Sequence, residues 1–166
     1  MKALIVIDMQ NDFTYGSLAN ANAVAIIDKI AERIQTFDGD VIATRDTHNE
    51  RYLTSAEGKK LPVAHCIKNT EGWELVPPIE KAVRQVRGQI LDKPTFGYKD
   101  WALEKYDEVE LVGTCTDICV VSNALLLKAL YPELTVKVRA DLCAGTTKEN
   151  HEAAIAVMRC CQVEII

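Results

Sequence analysis

The chain has 166 residues, of which 48% are hydrophobic and 26% are charged, and this composition is typical of one compact domain with a buried core. We therefore expect a single domain over residues 1–166. The 19 basic and 24 acidic residues give a formal net charge of −5. No lysine- or arginine-rich run is present that could follow a phosphate backbone, so we expect no nucleic-acid partner.

The first residues, MKALIVIDMQ, contain an apolar stretch of only about five residues before Asp8, which is too short for a signal-peptide core or a membrane span. We therefore expect a cytoplasmic protein with no membrane partner. Six cysteines are present, and a reducing compartment would keep them as free thiols. We interpret the adjacent Cys160 and Cys161 as small buried hydrophobic residues.

Short β-branched runs alternate with helical stretches along the whole chain. The first half predicts a strand at 3–9, a helix at about 22–37, a strand at 41–46, a helix at about 78–86 and a strand at 89–93. The second half predicts a helix at 100–105, a strand at 108–113, a helix at 116–130, a strand at 135–142, a helix at 148–159 and a strand at 162–166. Thr146 and Glu149 form a capping-box pattern that predicts the start of the last helix.

Six strands that alternate with helices, several of them continuously apolar, predict an α/β fold of the Rossmann-like type. The expected architecture is a three-layer α/β/α arrangement around a six-stranded, mostly parallel sheet. Functional residues in such folds collect beyond the carboxyl ends of the strands. The 47–75 segment is the one loop long enough to suggest a working part.

The carboxyl ends of the first four predicted strands carry acids, a histidine, a lysine and a thiol, namely Asp8, Asp46, His48, Lys93 and the 113–119 segment. Each has an ordinary structural alternative, because the aspartates could cap turns and Lys93 could be a solvated surface charge. Cys119 could simply pack in the first turn of its helix. Together, an acid, a lysine and a cysteine at one sheet edge match the requirements of covalent catalysis.

A thiol at position 119 would face unpaired N–H groups and the positive end of the helix dipole, which favour the thiolate. Asp8 could take the thiol proton, and Lys93 could hold that acid ionised and steady an anionic intermediate. Cys115 lies earlier in the strand-to-helix turn, so its expected contribution is a backbone N–H rather than its sulfur. The N–H groups of the turn and of Cys119 would then face a developing oxyanion.

Asp46, His48 and His65 form a second candidate group of two imidazoles and one carboxylate. Such a three-ligand set leaves metal positions open for water or substrate. The spacing alone also allows a structural role for His65, since Asp-x-His occurs often by chance. His151, on the last predicted helix, is expected at the surface.

Five motifs follow one another between residues 7 and 120: IDMQNDF (7–13), ATRDTH (43–48), HCIKNTEGWEL (65–75), LDKPTFGY (91–98) and VGTCTDICV (112–120). In these motifs the chain resembles the isochorismatase-like cysteine hydrolases, and within them the nicotinamidase/pyrazinamidase branch. The resemblance implies a catalytic triad of Asp8, Lys93 and Cys119. It also implies a cis peptide between Thr114 and Cys115 that would turn the Cys115 N–H toward the oxyanion, beside the N–H of Cys119.

The resemblance further implies a divalent metal on Asp46, His48 and His65, with zinc, iron and manganese all compatible, and no organic cofactor. The metal would hold a ring nitrogen of a small amide, directly or through water, while the sulfur attacks the carboxamide carbon. Ammonia would leave, and water would release the acid from a thioester. Relatives are often dimers or tetramers, so a homo-oligomer is expected.

The chain departs from the family in the loop before His65, where LPVAHC (61–66) replaces the usual Trp-Pro-x-His-Cys and contains no tryptophan. The expected pocket walls are therefore Phe13 with Phe96 or Tyr98, since flat substrates stack on aromatic rings. Trp73 is an alternative wall, although a structural role fits it better.

Three functions remain open from the sequence. The leading one is hydrolysis of nicotinamide, or of a close analogue, to the acid and ammonia. The alternative is another cysteine hydrolase of the same family, acting on an N-carbamoyl, ureido or isochorismate-like substrate. A non-catalytic module or a thiol redox protein using Cys115 and Cys119 is a third possibility, but it leaves Asp8 and Lys93 without a role.

Overall fold

A sheet of six parallel strands forms the centre of the computed structural model, which describes residues 1–166. The strand order is β3-β2-β1-β4-β5-β6. The bounds are β1 Lys2–Ile7, β2 Asp40–Asp46, β3 Gln89–Lys93, β4 Glu108–Thr114, β5 Thr135–Ala144 and β6 Glu164–Ile165. The α/β class and the six predicted strands are confirmed, and every pairing in the sheet is parallel.

The helices cover both faces of this sheet. They are α1 Asn11–Thr14, α2 Ala21–Ala25, α3 Ile27–Thr36, α4 Ala56–Lys60, α5 Pro77–Gln85, α6 Val121–Leu130 and α7 Lys148–Cys160. The predicted helix at 22–37 is therefore two helices, which meet at Ile26. No helix has both the length and the apolar character that crossing a bilayer requires.

The central strand β1 shows how the two cores are separated. Ala3, Ile5 and Ile7 pack into one apolar cluster with residues of α6 and α7. Leu4 and Val6 point the other way, into a cluster with residues of α3 and α5. Because successive strand residues face opposite sides of a sheet, this alternation produces the three α/β/α layers.

The predicted helix at 100–105 is wrong, because the structure has no helix there. Trp101 and Leu103 are both buried, and burial of alternate residues suits an irregular, extended segment rather than a helix. The Tyr131 hydroxyl stabilises this path, since it donates to the Trp101 carbonyl at 2.6 Å and accepts from the Leu103 N–H at 3.3 Å.

Two expectations at the C-terminal end are also corrected. Helix α7 is capped by Thr147, whose hydroxyl accepts from the Asn150 N–H at 3.1 Å, so the capping box predicted from Thr146 is one residue off. Cys160 and Cys161 are exposed rather than buried. Cys160 lies two residues beyond the buried Met158, so it points to nearly the opposite side of the helix. Cys161 follows the end of the helix.

Gly113, near the end of β4, allows β1 and β4 to approach closely beside the carboxyl edge. Its φ is +120°, and a Cβ atom there would lie 2.1 Å from the Ile7 carbonyl oxygen. Any other residue would have to push the strands apart, so glycine at this position keeps β4 paired with β1 up to its last residues.

Glu110, in the middle of β4, is a buried acid held by two arginines. Arg33 donates to both of its carboxylate oxygens at 2.9 and 2.7 Å, and Arg139 adds a bond of 2.7 Å. Burial alone would raise the pKa of Glu110, but the two arginines outweigh it and lower that pKa below 4.5. The ionised form is therefore the stabilising one.

We expect Glu110→Gln to lower the free energy of unfolding by about 1–3 kcal/mol at pH 7, because both arginines lose their charged partner. The loss is not larger because both arginines are partly solvated. Because the folded pKa is lowered, this stabilisation is complete above pH 4.5 and is lost as pH falls through the folded pKa. Urea unfolding of wild type, Glu110→Gln and the exposed control Glu133→Gln measures it. A Glu110→Gln deficit that persists unchanged at pH 3 would contradict this account.

Candidate active site

Asp8 and Lys93 form a fully buried ion pair at the carboxyl edge of the sheet. Asp8 directly follows β1 and Lys93 ends β3, and neither side chain is exposed. The Lys93 Nζ lies 2.7 Å from Asp8 Oδ2. The hydroxyl of Thr44, on β2, donates to Asp8 Oδ1 at 2.6 Å. Thr44 was missed from the sequence, because a threonine within an apolar strand gives no sign of its partner.

Cys119 completes this group from the turn that follows β4. It lies in the π-helical turn Thr116–Val120 and is only 4% exposed. Its Sγ lies 3.5 Å from Lys93 Nζ. Three side chains far apart in sequence therefore meet where three parallel strands end, as the strand-end pattern predicts.

The three groups determine one another's protonation. Burial raises the pKa of Cys119 well above its ordinary value of 9.0, the charge of Asp8 raises it further, and Lys93 opposes both effects. Burial alone would lower the pKa of Lys93, but Asp8, Cys119 and Asp46 outweigh it and raise that pKa. The resting pair is thus a neutral thiol beside an ammonium. Burial therefore opposes the preference for thiolate that the helix position predicts.

The turn that leads to Cys119 presents an unused backbone donor. The peptide bond between Thr114 and Cys115 is cis, and the Thr114 hydroxyl donates to the Ala144 carbonyl at 3.0 Å. The Cys115 carbonyl accepts from the N–H groups of Ile118 and Val120 at 3.1 and 3.0 Å, while the Cys115 N–H donates no hydrogen bond. Burial raises the pKa of the Cys115 thiol to about 11, so at neutral pH this thiol is uncharged.

A second cluster, suited to a metal ion, lies beside these groups. One ligand atom from each of Asp46, His48, Glu57 and His65 lies within 4.8 Å of all the others. Nε2 of His48 and of His65 lie 2.9 and 3.6 Å from Asp46 Oδ2 and 3.6 and 3.8 Å from Glu57 Oε1. Glu57 was missed from the sequence because it belongs to α4, inside the long loop, with no motif spacing to mark it.

The chemistry of the cluster fits a divalent cation. Asp46 Oδ1 is buried and has no hydrogen-bond partner, although Lys93 Nζ lies 3.6 Å away. The His65 Nδ1–H donates to the Val63 carbonyl at 2.8 Å, which leaves the Nε2 lone pair free to bind a metal. Two imidazoles and two carboxylates are ligands that zinc, iron and manganese all accept.

The side chain of Gln10 fixes the position of the Asp46 backbone. This side chain is fully buried. The side-chain oxygen accepts from the Asp46 N–H at 2.7 Å, and the side-chain amide donates to the carbonyls of Asp46 and Trp73 at 2.8 and 2.9 Å. Trp73 stacks under Arg45 at 3.5 Å and donates to Thr47, so its role is structural. Gln10 was missed because its burial is not visible in the sequence.

A cavity of about 1130 Å³ opens over both clusters. Its lining includes Phe13, Asp46, Glu57, His65, Phe96, Cys115 and Cys119. The Phe13 ring lies 5.6 Å from the His65 ring, and Phe96 is exposed near the opening. Tyr98 is not part of the lining, since it packs edge-on against Trp101 at 5.1 Å. Tyr52, which packs against His48 and His65 at 4.6 and 4.8 Å, was not foreseen.

Comparison with known proteins finds one family and several relatives that match almost the whole chain. The family model of the Isochorismatase domain matches residues 2–166. The chain is 31% identical to the nicotinamidase/pyrazinamidase of Mycobacterium tuberculosis, with 100% of this chain and 98% of that protein covered. The pyrazinamidase of Pyrococcus horikoshii in complex with zinc superposes with a TM-score of 0.82 at 26% identity, covering 99% of this chain and 98% of that one. The yeast nicotinamidase superposes with a TM-score of 0.86 at 24% identity, covering 100% and 99%, and supports the fold alone.

Proposed function

The chain belongs to the isochorismatase domain family, and from this premise we propose that it hydrolyses nicotinamide, or a closely similar small carboxamide, to the acid and ammonia. It is a hydrolase of a carbon–nitrogen amide bond. The observation that carries the proposal is the contact of the buried Asp8–Lys93 pair with Cys119, which lines the cavity. An acid, an ammonium and a thiol in contact are the parts that a thioester mechanism needs.

In the proposed first half-reaction, the Cys119 sulfur attacks the carboxamide carbon as its proton passes to Asp8. Because the resting thiol is neutral, proton transfer accompanies attack, and Asp8 serves as the base. Lys93 stays an ammonium and offsets the negative charge that the thiol proton leaves behind. The unpaired N–H of Cys115 and the N–H of Cys119 would donate to the oxygen as it becomes an anion.

The first half-reaction ends when the proton on Asp8 moves to the amide nitrogen, the carbon–nitrogen bond breaks and ammonia leaves. The acyl group then remains on Cys119 as a thioester. In the second half-reaction, a water molecule gives a proton to Asp8 and attacks the thioester carbon, and the carbon–sulfur bond breaks. The acid is released and the proton returns to sulfur, so the residues regain their starting state.

We propose zinc as the metal, held by Asp46, His48, His65 and, beyond the three residues expected from the sequence, Glu57. The zinc in the Pyrococcus horikoshii structure and the four converging ligand atoms support this. When bound, the ion would supply a Lewis acid that holds the ring nitrogen of the substrate and so orients its carboxamide. Phe13 and Phe96 would flank the ring.

We expect His48→Ala to lose most of its metal and to raise KM by about tenfold or more, because an isolated ligand loss weakens both metal and substrate binding. Metal content by mass spectrometry and KM for nicotinamide measure the effect. Glu57→Gln tests the fourth ligand, and the exposed Glu50→Gln is the matched control. If His48→Ala kept the wild-type metal content, the proposed ligand set would be wrong.

The substrate is tested by ammonia release from a panel of amides. Turnover of nicotinamide and pyrazinamide, with much slower turnover of benzamide, which lacks the ring nitrogen, supports the proposal. If neither nicotinamide nor pyrazinamide released ammonia and an N-carbamoyl compound was hydrolysed, the result would favour the alternative reaction of the same family.

We also propose a homo-oligomer, dimer or tetramer, in the cytoplasm. All six cysteines are unpaired, as suits a reducing compartment. Light scattering of the purified protein measures the oligomeric state.

A further inference from the structure

The turn that carries Cys119 is held from two sides. On the sheet side, Lys93 contacts the Cys119 sulfur at 3.5 Å. On the other side, the turn packs against the start of α7. Two side-chain links make this contact: Asp117 accepts from the N–H and the hydroxyl of Thr146 at 2.8 and 2.5 Å, and Thr116 pairs with His151 at 2.8 Å.

The Thr116–His151 link is the buried one. Thr116 is fully buried, and its hydroxyl has one hydrogen-bond partner, Nδ1 of His151. His151 was expected at the surface, yet it is half-buried in the first turn of α7. It also packs closely over Gly145, where a Cβ atom would lie 2.7 Å from the His151 Cβ. The backbone of the first turn of α7 is therefore held close to the segment that follows β5.

The link lies outside the substrate space. Neither Thr116 nor His151 lines the cavity, whereas Cys115 and Cys119 do. Thr116 is directly bonded to Cys115 and is three residues from Cys119, so a shift of Thr116 moves both the sulfur and the Cys115 N–H. Changing the link should therefore alter the placement of reacting groups without altering the walls that bind substrate.

We propose that His151 is a positioning residue, which holds Thr116 and thereby keeps the Cys119 sulfur within contact distance of Lys93 and close to Asp8. This inference rests on the proposed amide hydrolysis for its kinetic readout. Without a polar partner at position 151, the buried Thr116 hydroxyl loses its one side-chain hydrogen bond, and the turn must rearrange to satisfy it. A displacement of about 1 Å at a reacting group costs on the order of 100-fold in rate.

The test compares His151→Leu, which removes the hydrogen-bond partner of Thr116, with His151→Asn, whose side-chain amide can donate or accept in place of Nδ1. We expect His151→Leu to lower kcat by about 10- to 50-fold with KM within about twofold of wild type. His151→Asn should regain most of that loss. Thr116→Val should match His151→Leu, and the double variant should be no worse than either, because both remove one link. The exposed Glu152→Gln is the control on the same helix.

A second readout needs no substrate. Iodoacetamide labelling of Cys119, followed by peptide mass spectrometry, should slow by about fivefold in His151→Leu and recover in His151→Asn, since the rate follows the thiolate character set by Lys93. Circular dichroism confirms that each variant is folded at the assay temperature. If wild type released no ammonia from any amide, the proposed function would fail, while labelling would still decide the role of His151.

Three results would overturn the proposal. The first is a kcat for His151→Leu within about twofold of wild type, below the loss that misplaced reacting groups produce. The second is an effect confined to KM. The third is a His151→Asn variant as slow as His151→Leu in both turnover and labelling, because the hydrogen bond would then not be the cause.

Discussion

Replacing Cys119 with alanine is expected to lower the rate of amide hydrolysis by at least about 10⁴-fold, because it removes the thiol that contacts Lys93 and because triad members act as a unit. Cys115 also lines the cavity, but the Lys93 ammonium contacts the sulfur of Cys119, at 3.5 Å, and not that of Cys115. Ammonia release at saturating nicotinamide measures the loss.

The exposed Cys160→Ala is the matched control for this variant, since it removes a thiol elsewhere and should keep the wild-type rate. Thermal unfolding should show that Cys119→Ala is folded, because it removes only a small side chain from the cavity floor. In wild type, rapid acid quenching during turnover should trap an acyl group on the 119 peptide, detected by mass spectrometry. An alanine variant with more than a few per cent of the wild-type rate would rule out sulfur attack.

Asp8→Asn is expected to lower kcat by about 10³-fold, because the variant keeps the shape of the side chain but cannot accept the thiol proton. A second effect follows from the electrostatics. The charge of Asp8 is the main cause that raises the pKa of Lys93 against its burial, so losing it lets that pKa fall and weakens the ammonium beside Cys119. The pH dependence of kcat should therefore change as well as its size.

Thr44→Val tests the hydrogen bond to Asp8 without changing the charge of Asp8 or Lys93. It removes the hydroxyl that donates to Asp8 Oδ1 at 2.6 Å but leaves both charges in place, so a loss of only about tenfold is expected. The exposed Asp38→Asn is the control for removing one negative charge. Because Asp8→Asn leaves a buried lysine without its nearest partner, unfolding is measured for each variant. A folded Asp8→Asn enzyme with near wild-type kcat would exclude Asp8 as the proton acceptor.

Much of the fold and part of the site follow from local patterns. The alternation of apolar runs with helical stretches places all six strands, and parallel strands end at a common edge, so Asp8, Lys93 and Cys119 are brought together by topology alone. The predicted helix at 100–105 failed because Trp101 and Leu103 are anchored by Tyr131, which is distant in sequence. Tyr98 points to Trp101 rather than to the cavity for a similar reason, since side-chain direction depends on packing.

The fold class, the family and the order of chemical groups along the chain could be predicted from the sequence alone, because they depend on periodicity and on motifs a few residues long. Three features depend instead on packing between distant elements: the burial that raises the pKa of the Cys119 thiol, the position of Glu57 beside Asp46 and the two histidines, and the contact of His151 with Thr116. Protonation depends on desolvation by the whole surrounding core. Partners such as Glu57 and His151 depend on distances between elements that no local pattern encodes.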